Sequence, residues 1–146
     1  MSDKIKAGKI KAGNFYRNKD FLCSEAIFRT VNDYLDRPLP VESVRVVSGL
    51  PIGIGGSGCV CGALSGGVIA LGLALGRSNP GEDNEEVLSA SKELHDWFKS
   101  SFRSTCCRVL VKDYDFDSQE RVDHCIYLTE QVCEKVLKII ENYGKI

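Results

Sequence analysis

The stretch that decides the fold is VVSGLPIGIGGSGCVCGALSGGVIALGLALG, residues 46–76. It contains no charged residue and holds ten of the chain's 14 glycines. Its first half, residues 49–58, contains Pro51 and five glycines. In a helix, a proline costs about 3 kcal/mol and each glycine about 1 kcal/mol relative to alanine. We therefore predict a loop over residues 49–58 and a helix over residues 59–76.

The apolar residues 59–76 are short for a membrane span, which needs about 20 apolar residues. They also include five glycines. Glycines at spacings of four, Gly62 with Gly66 and Gly72 with Gly76, suit close packing against neighbouring helices in a protein core. We expect no membrane span and a glycine-rich helix at the centre of the fold.

A helix is predicted upstream of this segment, from Asn18 to about Asp36. Asn18 is a good N-cap, and the prolines at 38 and 40 end the helix. Its apolar residues recur every three or four positions, as expected for one buried helical face. This buried face comprises Cys23, Ile27, Val31 and Tyr34. The valines at 41, 44 and 47 fit a short second helix or a strand.

Two further helices are predicted downstream. Acidic residues at 83, 85 and 86 favour a helix N-terminus, and an apolar stripe then runs to Phe102. Ser118 is the predicted N-cap of a long final helix whose buried face extends from Val122 to Ile140. Between these helices, the acidic residues 113–117 indicate an exposed connection.

The fold class is therefore predicted to be all-α, a small helical bundle around the glycine-rich central helix. The sequence KIKAG occurs twice in succession, at 4–8 and 9–13. We expect residues 1–13 to be a frayed basic lead-in, with a small anion-attracting patch as the alternative. Residues 14–146 then form a single four-cysteine helical domain.

The overall charge argues against nucleic acid as a partner. The chain has 19 Lys and Arg residues and 20 Asp and Glu residues, a net charge of −1. Such a balance supplies no broad basic field. Hydrophobic residues at 43% and charged residues at 27% are typical of a globular domain.

Seven cysteines are the main chemical feature of the chain. The N-terminus shows no signal-peptide pattern, so we expect a reducing, cytoplasmic compartment. An odd number of thiols there indicates metal binding or redox chemistry rather than structural disulfides. There is no C-x-x-C motif, which excludes the usual thioredoxin and zinc-knuckle patterns.

Four cysteines lie on four different predicted segments: Cys23, Cys61, Cys107 and Cys125. Inward thiols on facing helices can meet at one site, because neighbouring helix axes are about 8–10 Å apart. Four thiolates suit an iron–sulfur cluster or zinc. Buried cysteines that merely pack as small hydrophobic side chains are the alternative, and spacing alone leaves both open.

These four cysteines carry a family resemblance. The segments CSEA at 23–26, CGALSG at 61–66 and CR at 107–108, followed by Cys125, resemble the C-GCAxxG-C-C family of redox-active proteins. The resemblance implies a helical domain whose four motif cysteines, Cys23, Cys61, Cys107 and Cys125, bind an iron–sulfur cluster or another redox centre. It leaves the type of cluster open.

Other residues near the motif are weaker candidates for the site. The backbone N–H of Gly62 can hydrogen-bond cluster sulfurs. Cys59 and Cys61 do not easily share one helical face, and adjacent Cys106 and Cys107 point in different directions, so Cys61 and Cys107 are the predicted site thiols. Cys133 is expected to pack in the core. His95 and His124 are expected to be surface residues, with metal ligation as the alternative.

The leading functional hypothesis is an iron–sulfur or similar metal-binding redox protein that transfers electrons to a redox partner protein. The alternative is a metal-free thiol/disulfide oxidoreductase that uses the same cysteines. A helical interaction protein with merely buried cysteines is the third hypothesis. The glycine-rich helix would also suit a symmetric homodimer.

Overall fold

The computed structural model describes residues 2–146, which form seven α-helices and one 3-10 helix. In chain order these are α1 (Asp3–Arg17), α2 (Cys23–Tyr34), the 3-10 helix (Val41–Val47), α3 (Pro51–Ile54), α4 (Gly62–Leu75), α5 (Glu85–Phe102), α6 (Cys107–Leu110) and α7 (Gln119–Asn142). No β-strand occurs within residues 2–146, and a single antiparallel bridge joins Val60 to Cys106. The predicted all-α class is confirmed.

Helix α7 begins where its capping residue predicts. The Ser118 hydroxyl accepts a hydrogen bond from the Arg121 backbone N–H at 3.1 Å, which satisfies one of the unpaired donors of the first turn.

The valine-rich segment 41–47 is helical, so the strand alternative there is wrong. Pro40 precedes it and favours a helical start.

Residues 3–13 are not a frayed lead-in, and this expectation is wrong. They belong to α1, which packs along α7 and buries Ile5 and Ala12. The helices approach closely, since a Cβ added at Gly13 would lie 2.6 Å from the Glu130 carboxyl carbon. Tertiary packing of this face therefore stabilises a helix that its glycines alone would weaken.

The helix predicted to start at Asn18 starts instead at Cys23. Lys19 has a φ of 62°, and this left-handed residue turns the chain between α1 and α2. The Glu25 carboxylate accepts a hydrogen bond from the Leu22 backbone N–H at 3.1 Å, which supports the first turn of α2. Cys23 is therefore placed at a helix start rather than inside a helix.

Helices α4 and α7 both occupy the interior. Helix α4 packs on α2, α5 and α7, and α7 packs on α1, α2, α4 and α5. Gly66 permits the close contact between α4 and α2, because a Cβ there would lie 2.6 Å from the Ser24 Cα. Among residues 2–146, none of the helices is both long enough and apolar enough to cross a membrane.

Candidate functional site

The four motif cysteines line one cavity of about 200 Å³, which we call the cysteine cavity. Each comes from a different helix or helix start, namely α2, α4, α6 and α7. Most other lining side chains are apolar: Leu22, Pro51, Ile52, Leu110, Val111, Phe116 and Leu128. The fold thus gathers four thiols from positions spread over a hundred residues of sequence.

Cys23 and Cys61 lie against each other at the starts of two helices. Cys23 is the first residue of α2, and Cys61 is the N-cap of α4. Gly62 makes their approach possible, since a Cβ at this position would lie 2.5 Å from the Cys23 Sγ. Gly62 also lines the cysteine cavity, which places this predicted residue beside the thiols.

The bridge between residues 59–61 and 105–107 positions Cys61 relative to Cys107. The Cys61 N–H donates to the Thr105 carbonyl at 2.8 Å, and the Cys107 N–H donates to the Cys59 carbonyl. Because residues 59–61 are extended, α4 begins at Gly62 rather than at the predicted Cys59. This non-local pairing brings α6 to the cavity.

The glycine-rich loop, which includes α3, forms a left-handed turn beside the cavity, so α3 is not a regular right-handed helix. Residues 52–56 all have positive φ, including Ile52 at 57° and Ile54 at 70°. A β-branched residue rarely adopts this conformation, and each such residue stores about 1–3 kcal/mol of strain. At Gly53 a Cβ would lie 2.9 Å from the Cys107 Cβ. The turn therefore holds the loop close against Cys107.

Burial raises the pKa of three motif cysteines. The pKa of Cys61 rises to about 11, even though the backbone N–H groups of Leu64 and Ala63 act to lower it. Burial and the neighbouring thiols also raise the pKa of Cys23 and of Cys107. These groups are consequently neutral thiols at pH 7 in the metal-free protein.

Arg121 and Tyr16 complete the polar lining of the cavity. Arg121 Nη1 lies 3.7 Å from the Cys125 Sγ and 3.4 Å from the Tyr16 hydroxyl oxygen, and it donates to both. Its Nε donates to the Phe116 carbonyl at 2.6 Å. Sequence reasoning missed this residue, although its position four residues before Cys125 on a predicted helix places both on one face.

The remaining three cysteines do not line the cavity. Cys59 is exposed, and the Cys106 thiol donates to the Gly58 carbonyl at 3.1 Å. Cys133 is 0% exposed, its thiol lies 3.7 Å from the Gly8 carbonyl, and burial raises its pKa to about 12. Its placement agrees with the expectation of a core residue.

The two histidines also lie away from the cysteine cavity. His95 is exposed and pairs with Asp96 at 2.9 Å. The His124 ring lies near the rings of Tyr114 and Tyr127, and burial lowers its pKa. Neither imidazole adds a ligand to the thiols.

The four motif thiols share the lining of the cysteine cavity. In the described chain, residues 2–146, no group of three or more His, Cys, Asp or Glu side chains converges closely enough to hold a single metal ion. A tetrahedral zinc site formed by cysteines alone places four sulfurs at about 2.3 Å from one centre.

These features define a helical protein with a four-cysteine cavity. A family model described as "Putative redox-active protein (C_GCAxxG_C_C)" matches residues 21–139, and the chain belongs to this family. The matched region contains the four motif cysteines and begins after the end of α1. Comparisons with curated proteins and with solved structures found no match.

Proposed function

We propose that the protein binds an iron–sulfur cluster through the four motif cysteines and transfers electrons. The observation that carries the proposal is the cysteine cavity, in which one thiol from each of α2, α4, α6 and α7 lines a common space. Cysteine thiolates are the usual ligands of iron–sulfur clusters. The family description, a redox-active protein, agrees with this chemistry.

The donor set and the space fit a cluster better than one ion. A cluster is ligated by thiolates around its periphery, so its ligands need not meet at one point. The cavity of about 200 Å³ is also larger than the roughly 30 Å³ that one water molecule occupies.

The protein supplies a largely apolar, preorganised holder for the group. When bound, the cluster would supply one-electron transfer at the cavity. The apolar side chains Ile52, Leu110 and Leu128 form part of the cavity wall. The backbone N–H groups of Ala63 and Leu64 are directed at the Cys61 sulfur, where they stabilise a thiolate.

Cluster binding is coupled to loss of protons. Burial keeps the Cys23 and Cys61 thiols neutral in the metal-free protein, and thiolate is the species that binds metal. Ligation must therefore release these protons, and the affinity for iron rises with pH.

Metal-free thiol/disulfide exchange by the same cysteines is the second candidate. All seven cysteines are free thiols, and four of them share one cavity. Each disulfide formed there would release two protons and two electrons to an external oxidant. The raised pKa values of Cys23, Cys61 and Cys107 count against this candidate, because the nucleophile in exchange is the thiolate.

The proposal implies a second redox protein as the electron partner. It also implies a reducing compartment such as the cytoplasm, since iron–sulfur chemistry and free thiols both need one. A homodimer built on the glycine-rich helix remains a proposal.

The test is iron and acid-labile sulfide analysis, with an absorption spectrum, of protein purified without oxygen. Cys61→Ser removes one proposed ligand, and Cys59→Ser is the control because Cys59 is exposed and outside the cavity. We expect stoichiometric iron and sulfide in the wild type and the control, and their loss in Cys61→Ser.

Other results would change the assignment. Colourless protein that takes up no metal after reconstitution would contradict the proposal and favour thiol/disulfide exchange. Stoichiometric zinc without sulfide would instead make the site structural.

A further inference from the structure

Arg121 is a cation at the cysteine cavity that lacks an acidic partner. Among residues 2–146, no carboxylate forms an ion pair with its guanidinium. Its hydrogen bonds go instead to Cys125, Tyr16 and the Phe116 carbonyl. The guanidinium also lies 4.7 Å from the centre of the Phe116 ring. Four contacts thus fix a positive charge whose counter-charge is not supplied by an acidic side chain.

Tyr16 extends the same donor system. Its hydroxyl oxygen accepts the bond from Arg121, and no acceptor within residues 2–146 takes its proton. Its side chain lines the cavity, and the ring is almost fully buried, at 7% exposed. A phenol that accepts one hydrogen bond still has one proton to donate, and this hydroxyl lies near the Cys125 and Cys23 thiols.

Arg108, the other arginine at the cavity, has a different role. Its Nη2 donates to the Ser57 carbonyl at 3.0 Å, and a Cβ added at Gly58 would lie 3.1 Å from its Nε. Arg108 therefore ties α6 to the glycine-rich loop. Of the two arginines, Arg121 is the one that donates to a motif thiol.

We infer that Arg121 and Tyr16 raise the reduction potential of the centre held in the cysteine cavity. The inference rests on the proposed function. Reduction adds one electron, hence one negative charge, to the thiolate-bound group. A nearby positive charge and hydrogen bonds to the sulfurs stabilise the reduced form more than the oxidised form. Arg121 supplies the charge and a hydrogen bond to Cys125, and Tyr16 supplies a second donor.

The test is the midpoint potential of the reconstituted protein, measured by anaerobic titration with dithionite and redox mediators. For Arg121→Gln we expect the equilibrium constant for reduction to fall about tenfold, which for a one-electron couple is a decrease of about 59 mV. Arg121→Lys retains the charge and should recover most of this decrease. Tyr16→Phe retains the ring and should give a smaller decrease.

Lys112→Gln is the matched control. It removes the same unit of charge from an exposed side chain outside the cavity, where solvent and salt screen its effect. We expect its midpoint to equal that of the wild type. A merely structural role of Arg121 would lower the iron content without moving the midpoint of the molecules that remain loaded.

The outcomes separate this inference from the proposed function. Loaded Arg121→Gln and Tyr16→Phe with wild-type midpoints would overturn the inference and leave the cluster in place. A wild-type protein that binds no iron and sulfide after reconstitution would overturn both. Decreases in both variants, with Lys112→Gln unchanged, would support the inference.

Discussion

Helix α7 carries two thiols in opposite surroundings. Cys125 lines the cysteine cavity beside the guanidinium of Arg121, at 3.7 Å. Cys133, eight residues further along α7, is fully buried with its thiol on the Gly8 carbonyl of α1. The same residue type on one helix thus faces a cavity that contains an arginine at one level and a closed core two turns later.

The difference shows that the environment of each cysteine on α7 depends on the elements that pack opposite that turn of the helix. At the level of Cys125 the helix faces three helix starts and the glycine-rich loop, where backbone N–H groups and an arginine are available. At the level of Cys133 it faces the side of α1, which approaches through glycine. Only the first setting places a cationic donor beside the sulfur.

The largest effect is expected when each of the two thiols of α7 is replaced in turn and iron binding is measured. Cys125→Ser should abolish iron and sulfide binding, because it removes one of four proposed ligands. Cys133→Ala, on the same helix, should retain the full iron content. Both variants are compared by iron and sulfide analysis after identical reconstitution. Loss of iron in Cys133→Ala, with the fold intact by circular dichroism, would contradict the distinction drawn between the two thiols.

A second, smaller effect is expected from glycine substitutions on α4. Gly62→Ala places a Cβ 2.5 Å from the Cys23 Sγ, so we expect a loss of about 1–3 kcal/mol in the free energy of unfolding and a reduced iron content. Gly72→Ala meets no atom within 4 Å and should stabilise the same helix by about 1 kcal/mol. Urea denaturation and iron analysis measure both effects. Equal behaviour of the two variants would mean that the Cys23 contact does not matter.

The sequence predicts the parts of this fold that local chemistry controls. The periodicity of α5 and α7 and the cap at Ser118 follow from residues close in sequence. Helix α1 could not be predicted in this way. Its glycines lower helix propensity, and its stability comes from packing against residues such as Glu130, more than a hundred positions away.

Some parts of the candidate site could be predicted from the sequence and others could not. The four motif cysteines stand out from spacing and from the family resemblance, and the structure brings all four to one cavity. The bridge between Val60 and Cys106 could not be predicted, because it depends on a non-local contact. The left-handed turn at Ile52 could not be predicted either, because a β-branched residue rarely adopts a positive φ. Arg121 could have been found from its position one turn before Cys125.

A third prediction concerns the stability of the metal-free protein at alkaline pH. Burial raises the pKa of Cys61 from its usual 9.0 to about 11 and that of Cys133 to about 12. The folded protein therefore holds these protons more tightly than the unfolded chain. The resulting stabilisation is complete below about pH 9 and is lost as the pH rises through 11 and 12. Urea denaturation at a series of pH values measures this loss.

Matched variants and cluster loading separate the two contributions to this pH dependence. Cys61→Ser should remove the part of the pH dependence of the free energy of unfolding that comes from the cavity. Cys133→Ala should remove the part that comes from the core. Loaded protein should lack the Cys61 part, because a ligating thiolate carries no proton. A slope that is unchanged in both variants would exclude these thiols as its source.

The smallest effect is expected from the choice of residue that replaces Cys133. At a packing position, a small apolar side chain is the better substitute, since cysteine behaves as a small hydrophobic residue. Cys133→Ala should lower the free energy of unfolding by about 1 kcal/mol. Cys133→Ser should cost about 1–3 kcal/mol, because its hydroxyl enters a fully buried site at a distance too long for a good bond to the Gly8 carbonyl.

The relative stability of the alanine and serine variants distinguishes a core thiol from a ligand. At Cys125, serine and alanine should remove iron equally, because neither provides a thiolate. At Cys133, alanine should be more stable than serine, and neither should change the iron content. Paired urea denaturation curves measure the order. A more stable Cys133→Ser would show that the contact with the Gly8 carbonyl is a hydrogen bond that matters, and that the two levels of α7 differ less than their surroundings indicate.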